Sequence, residues 1–72
     1  MFDIGNVLTL ADDNKYTVVD KFECDNNIYV YLVDINNNKN VIYGKLENDE
    51  IVELNDLTEL TKIINIVASH FS

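Results

Sequence analysis

The feature that most constrains the fold is the alternation in residues 28–46, where two strand-like segments flank an asparagine-rich turn. Side chains along a β-strand point to opposite faces in turn, so residues of one parity share a face. One parity is the aliphatic face, made of Ile28, Val30, Leu32, Ile42 and Leu46. The other parity is the tyrosine face, made of Tyr29, Tyr31 and Tyr43, with Val33 and Val41 beside them. The pattern predicts a hairpin with two chemically distinct faces.

Further segments rich in β-branched and aromatic residues predict a meander around this hairpin. We expect strands at about 7–10, 15–24, 28–35, 41–47 and 51–54. Clusters of Asp and Asn, which tolerate tight-turn conformations, separate them. The chain has no proline, so nothing restricts any segment to a sheet edge.

After the last strand the hydrophobic repeat lengthens to three or four residues, which is typical of an amphipathic helix. The apolar stripe consists of Leu57, Leu60, Ile64, Val67 and Phe71, with Ile63 beside it. Asp56 is placed as the N-cap of a helix at about 56–70, and Glu59 completes a capping box. The stripe is expected to cover the aliphatic face. The predicted fold is α+β: a single domain over 1–72, with a five-stranded antiparallel coiled β-meander and one C-terminal α-helix packed on one face.

The expected register brings two further side chains to the aliphatic face. A turn at 25–27 that pairs Cys24 with Ile28 places Phe22 opposite Val30. Phe22 and Cys24 would then join the predicted core. Gly44 has the same parity, which predicts either a bulge or a close approach of the helix.

The same reasoning places lysines among the tyrosines. A turn at 36–40 that pairs Val33 with Val41 sets Tyr31 opposite Tyr43, and Tyr29 opposite Lys45. Lys21 would flank Tyr31 from the other side. The candidate protein-binding face is therefore Tyr29, Tyr31, Tyr43, Lys21 and Lys45. Two interpretations stand: an interface with a partner or a second copy of the chain, or a second small core inside a strongly coiled sheet.

Composition excludes several classes of partner and compartment. Thirteen Asp and Glu oppose five Lys, the net charge is −8, and arginine is absent. Nucleic-acid binders need clustered cations, so direct DNA or RNA binding is not expected. No apolar run reaches the roughly 20 residues of a membrane span, and residues 1–6 do not resemble a signal peptide. A single cysteine fits a reducing compartment, so we expect a cytoplasmic protein that binds no membrane.

Catalytic, metal and cofactor sites are not expected. Asp34, Asn36, Asn38 and Asn40 match the first ligands of a calcium loop. The match ends at Lys39, where glycine is needed, and at Lys45, where a glutamate belongs. A hairpin loop explains these residues better. Cys24 and His70 could form a catalytic pair only by meeting in a cleft, and a core thiol and an exposed tail histidine are the simpler interpretation.

The order of segments resembles a known group of proteins. VLTL-ADDN-KYTVVDKFECDNNIYVYLV, followed by VIYGKLENDEIVELND, is similar to the small acidic bacterial proteins of domain-of-unknown-function family 1292. The matching features are Phe22, the turn at 25–27, residues 29–32, residues 41–46 and the C-terminal helix. Asparagine stands here where that family often has glycine or more acid. The resemblance implies a cytoplasmic location, no catalytic motif and an unknown role, and it transfers no functional residue.

The function predicted from these residues is a non-enzymatic protein-interaction module. Its binding surface would be the candidate protein-binding face or an acidic rim. The alternative is an acidic inhibitor or nucleic-acid mimic that binds a basic groove of its partner through carboxylates.

Overall fold

The computed structural model describes residues 3–72, which form one curled sheet and one helix. The elements are β1 (Val7–Thr9), β2 (Lys15–Cys24), β3 (Asn27–Asp34), β4 (Asn37–Glu47), β5 (Glu50–Glu53) and α1 (Leu57–His70). The strand order is β1-β2-β3-β4-β5, and every neighbouring pair is antiparallel. The sheet curls into a half-barrel and the helix follows it, so the predicted α+β class is confirmed.

Two of the hairpin turns are one residue shorter than the sequence suggested. Cys24 pairs with Asn27 and Glu47 with Glu50, which leaves two residues in each turn. The turn residues all have positive φ: Asp25, Asn26, Asn48 and Asp49. Two successive left-handed residues define a type I′ turn, whose twist matches that of the flanking strands. Asp and Asn adopt this conformation more readily than other non-glycine residues, which explains their place here.

The two-residue turn at Asp25 and Asn26 shifts the register between β2 and β3 from the predicted one. Phe22 lies opposite Tyr29 instead of Val30. Phe22 and Cys24 therefore belong with the tyrosine face, and their predicted place on the aliphatic face is wrong. A register shift between Val18 and Asp20 then reverses the parity along β2, so Tyr16 and Val18 remain on the aliphatic face.

The central hairpin has the predicted register. Tyr31 pairs with Tyr43, and Tyr29 pairs with Lys45. The connecting turn differs from the predicted one, because Asp34 pairs with Asn37. The ladder is irregular between Val33 and Asp34. As a result β4 begins at Asn37 and not at residue 41.

The aliphatic face forms a core inside the curl of the sheet. Its buried members are Tyr16, Val18, Val30, Leu32 and Ile42. Leu8 and Leu10 from one side and Ile51 from the other pack against them. The curl thus brings both ends of the sheet over this face, which has no need of a helix to cover it.

Helix α1 covers the tyrosine face, and its predicted place on the aliphatic face is wrong. A second core contains the buried residues Tyr29, Leu54, Ile63 and Val67, with the half-buried Phe22, Cys24, Tyr31, Tyr43, Leu60 and Ile66 packed against it. The physical reason is the curl, because the concave side of the sheet is already filled by its own strands. The helix buries the convex side, where the large rings offer the most apolar area.

The buried stripe of α1 is also rotated from the predicted one. Ile63 is 0% exposed, whereas its neighbour Ile64 is 38% exposed. Leu57 and Phe71, both predicted to face the sheet, are largely exposed. The N-cap is confirmed: the Asp56 carboxylate accepts a hydrogen bond from the Glu59 backbone N–H at 3.1 Å.

Within residues 3–72, no helix has the length and apolar character needed to cross a membrane. The expectation for residues 1–6 includes Met1 and Phe2, which lie outside the described residues.

Candidate interaction site

The tyrosine face is a packed layer beneath the helix. The Tyr29 side chain is 4% exposed, and its hydroxyl donates a hydrogen bond to Glu59 at 2.7 Å. The rings of Tyr31 and Tyr43 stack with centroids 4.9 Å apart, and Phe22 stacks on Tyr29 at 5.9 Å. This arrangement corresponds to the second small core that the sequence left open beside the interface interpretation.

The two lysines of the candidate protein-binding face lie in different places. The Lys45 ammonium group lies 3.4 Å from Glu59 and 3.6 Å from Glu47, so it remains at the edge of the tyrosine face. Lys21 pairs with Val30, whose parity is that of the aliphatic face, and its ammonium group contacts Asp3 at 3.2 Å. The structure brings the three tyrosines and Lys45 together and leaves Lys21 out. The position opposite Tyr31 belongs to Asp20.

Glu59 is the residue whose contacts the sequence missed. The capping-box pattern predicts a bond from its side chain back to the start of the helix. Its carboxylate instead accepts hydrogen bonds from Tyr29 and Lys45. A signal was present in the spacing, because Glu59 precedes Ile63 by four residues and shares its face of the helix.

The tyrosine pKa values make the fold sensitive to alkali. Burial, and then the hydrogen bond to Glu59, raise the pKa of Tyr29, and burial also raises the pKa of Tyr43 and of Tyr16. A raised pKa in the folded state stabilises the protein below the unfolded value of about 10, and this stability is lost as the pH rises through the folded pKa. We expect the urea midpoint to fall above about pH 10, and less steeply in Tyr29→Phe. An equally steep fall in both proteins would contradict this assignment.

The end of the helix is held by a buried carboxylate. The His70 Nδ1 atom lies 2.5 Å from the carboxylate of Asp20, whose side chain is 12% exposed, and the His70 ring packs edge-on against Phe22 at 5.3 Å. The Cys24 thiol contacts a different acid, Asp25, at 3.8 Å. Cys24 and His70 thus have separate partners in the structure.

A groove separates the two edge strands of the half-barrel, and we call it the open seam. Its walls are residues 7–11, from β1 and the turn after it, and residues 49–51, at the start of β5. Its volume is about 620 Å³. Within residues 3–72, β1 pairs only with β2, and β5 pairs only with β4. The sheet therefore curls far enough for its two edges to share one groove but does not close.

The main-chain groups on both walls are oriented for further pairing. The Leu10 N–H donates to the Asn14 carbonyl at 3.1 Å, and the Asn6 carbonyl accepts from Val18 at 2.9 Å. Hydrogen bonding alternates along an antiparallel strand, so the peptide groups of Val7 and Thr9 point away from β2.

The same alternation applies to the other wall. Leu54 N–H donates to the Tyr43 carbonyl at 2.9 Å, which directs the peptide groups of Ile51 and Glu53 away from β4. Both edges of the open seam thus present strand backbone that pairs with no further strand of residues 3–72.

A smaller pocket of about 280 Å³ adjoins the open seam where it meets the aliphatic core. Its apolar walls are Leu10, Ala11, Ile42 and Ile51, and its two polar side chains are Asp12 and Glu53. The carboxylates along the pocket and the open seam are Asp12, Asp49, Glu50 and Glu53. No lysine of residues 3–72 forms a salt bridge with any of these four. The site therefore combines an apolar floor with unpaired negative charge.

Comparisons of the chain with protein-family models, with curated proteins and with solved structures find no match. The resemblance to domain-of-unknown-function family 1292 therefore stays a prediction.

Proposed function

We propose that this protein is a non-enzymatic protein-interaction module that binds its partner at the open seam. The observation that carries the proposal is the pair of unpaired strand edges facing one groove. A partner segment in extended conformation can gain main-chain hydrogen bonds from such an edge and side-chain contacts from the groove beside it. The single cysteine fits the reducing cytoplasm, which is the compartment we propose.

The open seam is a better binding surface than the tyrosine face. A partner on the tyrosine face would have to displace α1 and expose Ile63 and Val67, which are 0% and 4% exposed. Exposing two such side chains costs roughly 3 to 6 kcal/mol. A partner at the open seam displaces no element of the described chain. The tyrosine face therefore contributes to binding by stabilising the sheet that carries the two edges.

The two edge strands are short, at three and four residues, but they lack the lysine or proline that natural sheets often place on an exposed edge. Soluble proteins cover exposed edges or place lysine or proline on them to prevent unwanted pairing. The residues that line the open seam include neither type. Negative charge takes the place of that protection and repels a second acidic copy of the chain, while a partner of opposite charge is attracted.

The second candidate is an acidic inhibitor or nucleic-acid mimic that binds a basic groove. The four carboxylates beside the open seam, which form no salt bridge with a lysine of residues 3–72, favour it. This mode needs only charge, so added salt would abolish binding and the state of the strand edges would have no effect. Edge pairing predicts the opposite pattern, in which removal of one backbone N–H weakens binding.

The experiment uses the outward-facing N–H of Thr9. Thr9→Pro removes this donor without removing a hydrogen bond to β2, and Thr9→Val is the matched control that keeps the donor. In a lysate of cells that express the protein naturally, we expect a partner to be captured by wild type and by Thr9→Val, with at least a fivefold loss for Thr9→Pro. Circular dichroism checks that all three are folded. Equal capture by a folded Thr9→Pro would contradict the proposed site.

A further inference from the structure

The number of strands determines how the open seam can be filled. In an antiparallel meander of five strands, the first and the last run in the same direction. Direct pairing of β1 with β5 would therefore be parallel, in an otherwise antiparallel sheet. One additional strand between them can run antiparallel to both and complete a six-stranded antiparallel barrel, which removes both edges.

The pocket beside the open seam indicates which side chain this strand would carry. Four apolar residues surround it, and the carboxylates of Asp12 and Glu53 stand at its wall. Lysine and arginine have long apolar stems and cationic heads. The stem would contact the apolar walls of the pocket, and the head would lie beside the two carboxylates. A purely aliphatic side chain would leave the two carboxylates without a cation.

The carboxylates of Asp12 and Glu53 can accept a cation without giving up a salt bridge to a lysine of residues 3–72. Asp12 accepts hydrogen bonds from the Asn14 backbone N–H and from the Tyr16 hydroxyl, both at 2.9 Å. The Asn14 bond, with the Tyr16 bond after it, lowers the pKa of Asp12. Asp12 is therefore ionised at neutral pH, and Glu53 has no salt bridge within residues 3–72.

We infer that the open seam accepts one extended segment of a partner protein, antiparallel to β1 and β5, with a lysine or arginine seated between Asp12 and Glu53. This inference rests on the proposed function and adds the partner's conformation, direction and charge. The pocket lies beside Leu10, at the end of β1, so the basic residue belongs near the N-terminal end of the antiparallel guest segment. Alternate apolar side chains of the guest would contact Leu8 and Ile51 in the floor.

The test uses a short blocked peptide in which valine alternates with threonine and the first inward-facing residue is lysine. A second peptide carries glutamine in place of that lysine. We expect the lysine peptide to shift the backbone amide signals of Val7, Thr9, Ile51 and Glu53 in NMR titrations of the full chain. Glu53→Gln should raise its Kd about three- to tenfold. Glu23→Gln, which makes the same charge change on β2 at an exposed residue outside the open seam, should leave the Kd unchanged.

The outcomes separate this inference from the proposed function. Equal affinity of the lysine and glutamine peptides, with shifts at the open seam, would contradict the proposed basic side chain of the guest. The proposed function would then still stand. Shifts confined to α1 or to the turn at Asp25 and Asn26 would contradict both. If the lysine peptide shifts none of the seam amides at millimolar concentration, the inference fails, and the Thr9→Pro capture experiment judges the proposed function independently.

Discussion

Replacing Ile63 with alanine is expected to lower the free energy of unfolding by about 2 to 5 kcal/mol. The side chain is fully buried where α1 meets the tyrosine face, so its loss leaves a cavity between the helix and the sheet. A domain of 72 residues has a total stability of roughly 4 to 11 kcal/mol, so this change removes a large part of it. Urea denaturation followed by circular dichroism measures the effect.

The matched control is the next residue on the same helix. Ile64 is 38% exposed, and Ile64→Ala should cost about 1 kcal/mol or less. The two substitutions remove the same atoms and have nearly the same effect on helix propensity. The comparison therefore isolates burial. If Ile64→Ala cost more than Ile63→Ala, the helix would be rotated toward the stripe predicted from the sequence.

Gly44→Ala is expected to lower the free energy of unfolding by about 1 to 3 kcal/mol. A Cβ atom at this position would lie 2.7 Å from the Cγ2 atom of Ile51 and 3.4 Å from the Val52 carbonyl oxygen. The Ile51 methyl is attached directly to a branched Cβ with few rotamers, so it cannot move aside easily. The added methyl should push β5 away from β4 and change the width of the open seam. Thermal unfolding measures the loss of stability.

A double-mutant cycle with Ile51→Ala tests the cause of this loss. Ile51→Ala removes the methyl that the new Cβ meets, and it also removes apolar contact with the aliphatic core. The Ile51 substitution should therefore cost less in Gly44→Ala than in wild type, by roughly 0.5 to 2 kcal/mol. Strict additivity of the two changes would show that Ile51 does not lie over Gly44.

The local features of the fold were predictable because neighbouring residues determine them. Tyr31 lies opposite Tyr43 and Tyr29 opposite Lys45, as alternation along one hairpin predicts. Asp56 caps the helix, since capping depends on residue types within one turn. The antiparallel order also followed from short polar connections between alternating segments.

The assignment of the helix to a face could not be predicted from alternation. Alternation identifies two faces of a sheet but not which one is concave, and both faces here are apolar enough to form a core. The curl of the sheet decides which face the helix covers. That curl depends on features that the local sequence indicates only weakly. The register shift after Val18 and the type I′ turn at Asp25 and Asn26 each move the pairing by one residue. One residue was sufficient to move Phe22 and Cys24 to the other face.

The sequence predicts the components of the open seam but not their arrangement around one groove. The meander predicts β1 and β5 as edges, and the acidic turns beside them are plain in the sequence. Their approach across one groove depends on the curl of all five strands, which is a property of the whole sheet. The tyrosine face drew attention because exposed aromatic residues often form interfaces. Once the helix covers it, the open seam is an accessible apolar groove whose edge strands pair with no other strand of residues 3–72.

The central claim is that α1 covers the tyrosine face and leaves the aliphatic core to end at the open seam. Nuclear Overhauser contacts from the methyl groups of Ile63 test it most directly. We expect contacts to the rings of Tyr29, Tyr31 or Tyr43 and none to the methyl groups of Val30 or Leu32. Contacts from Ile63 to Val30 or Leu32, with no contact to the tyrosine rings, would contradict the fold and remove the basis for binding at the open seam.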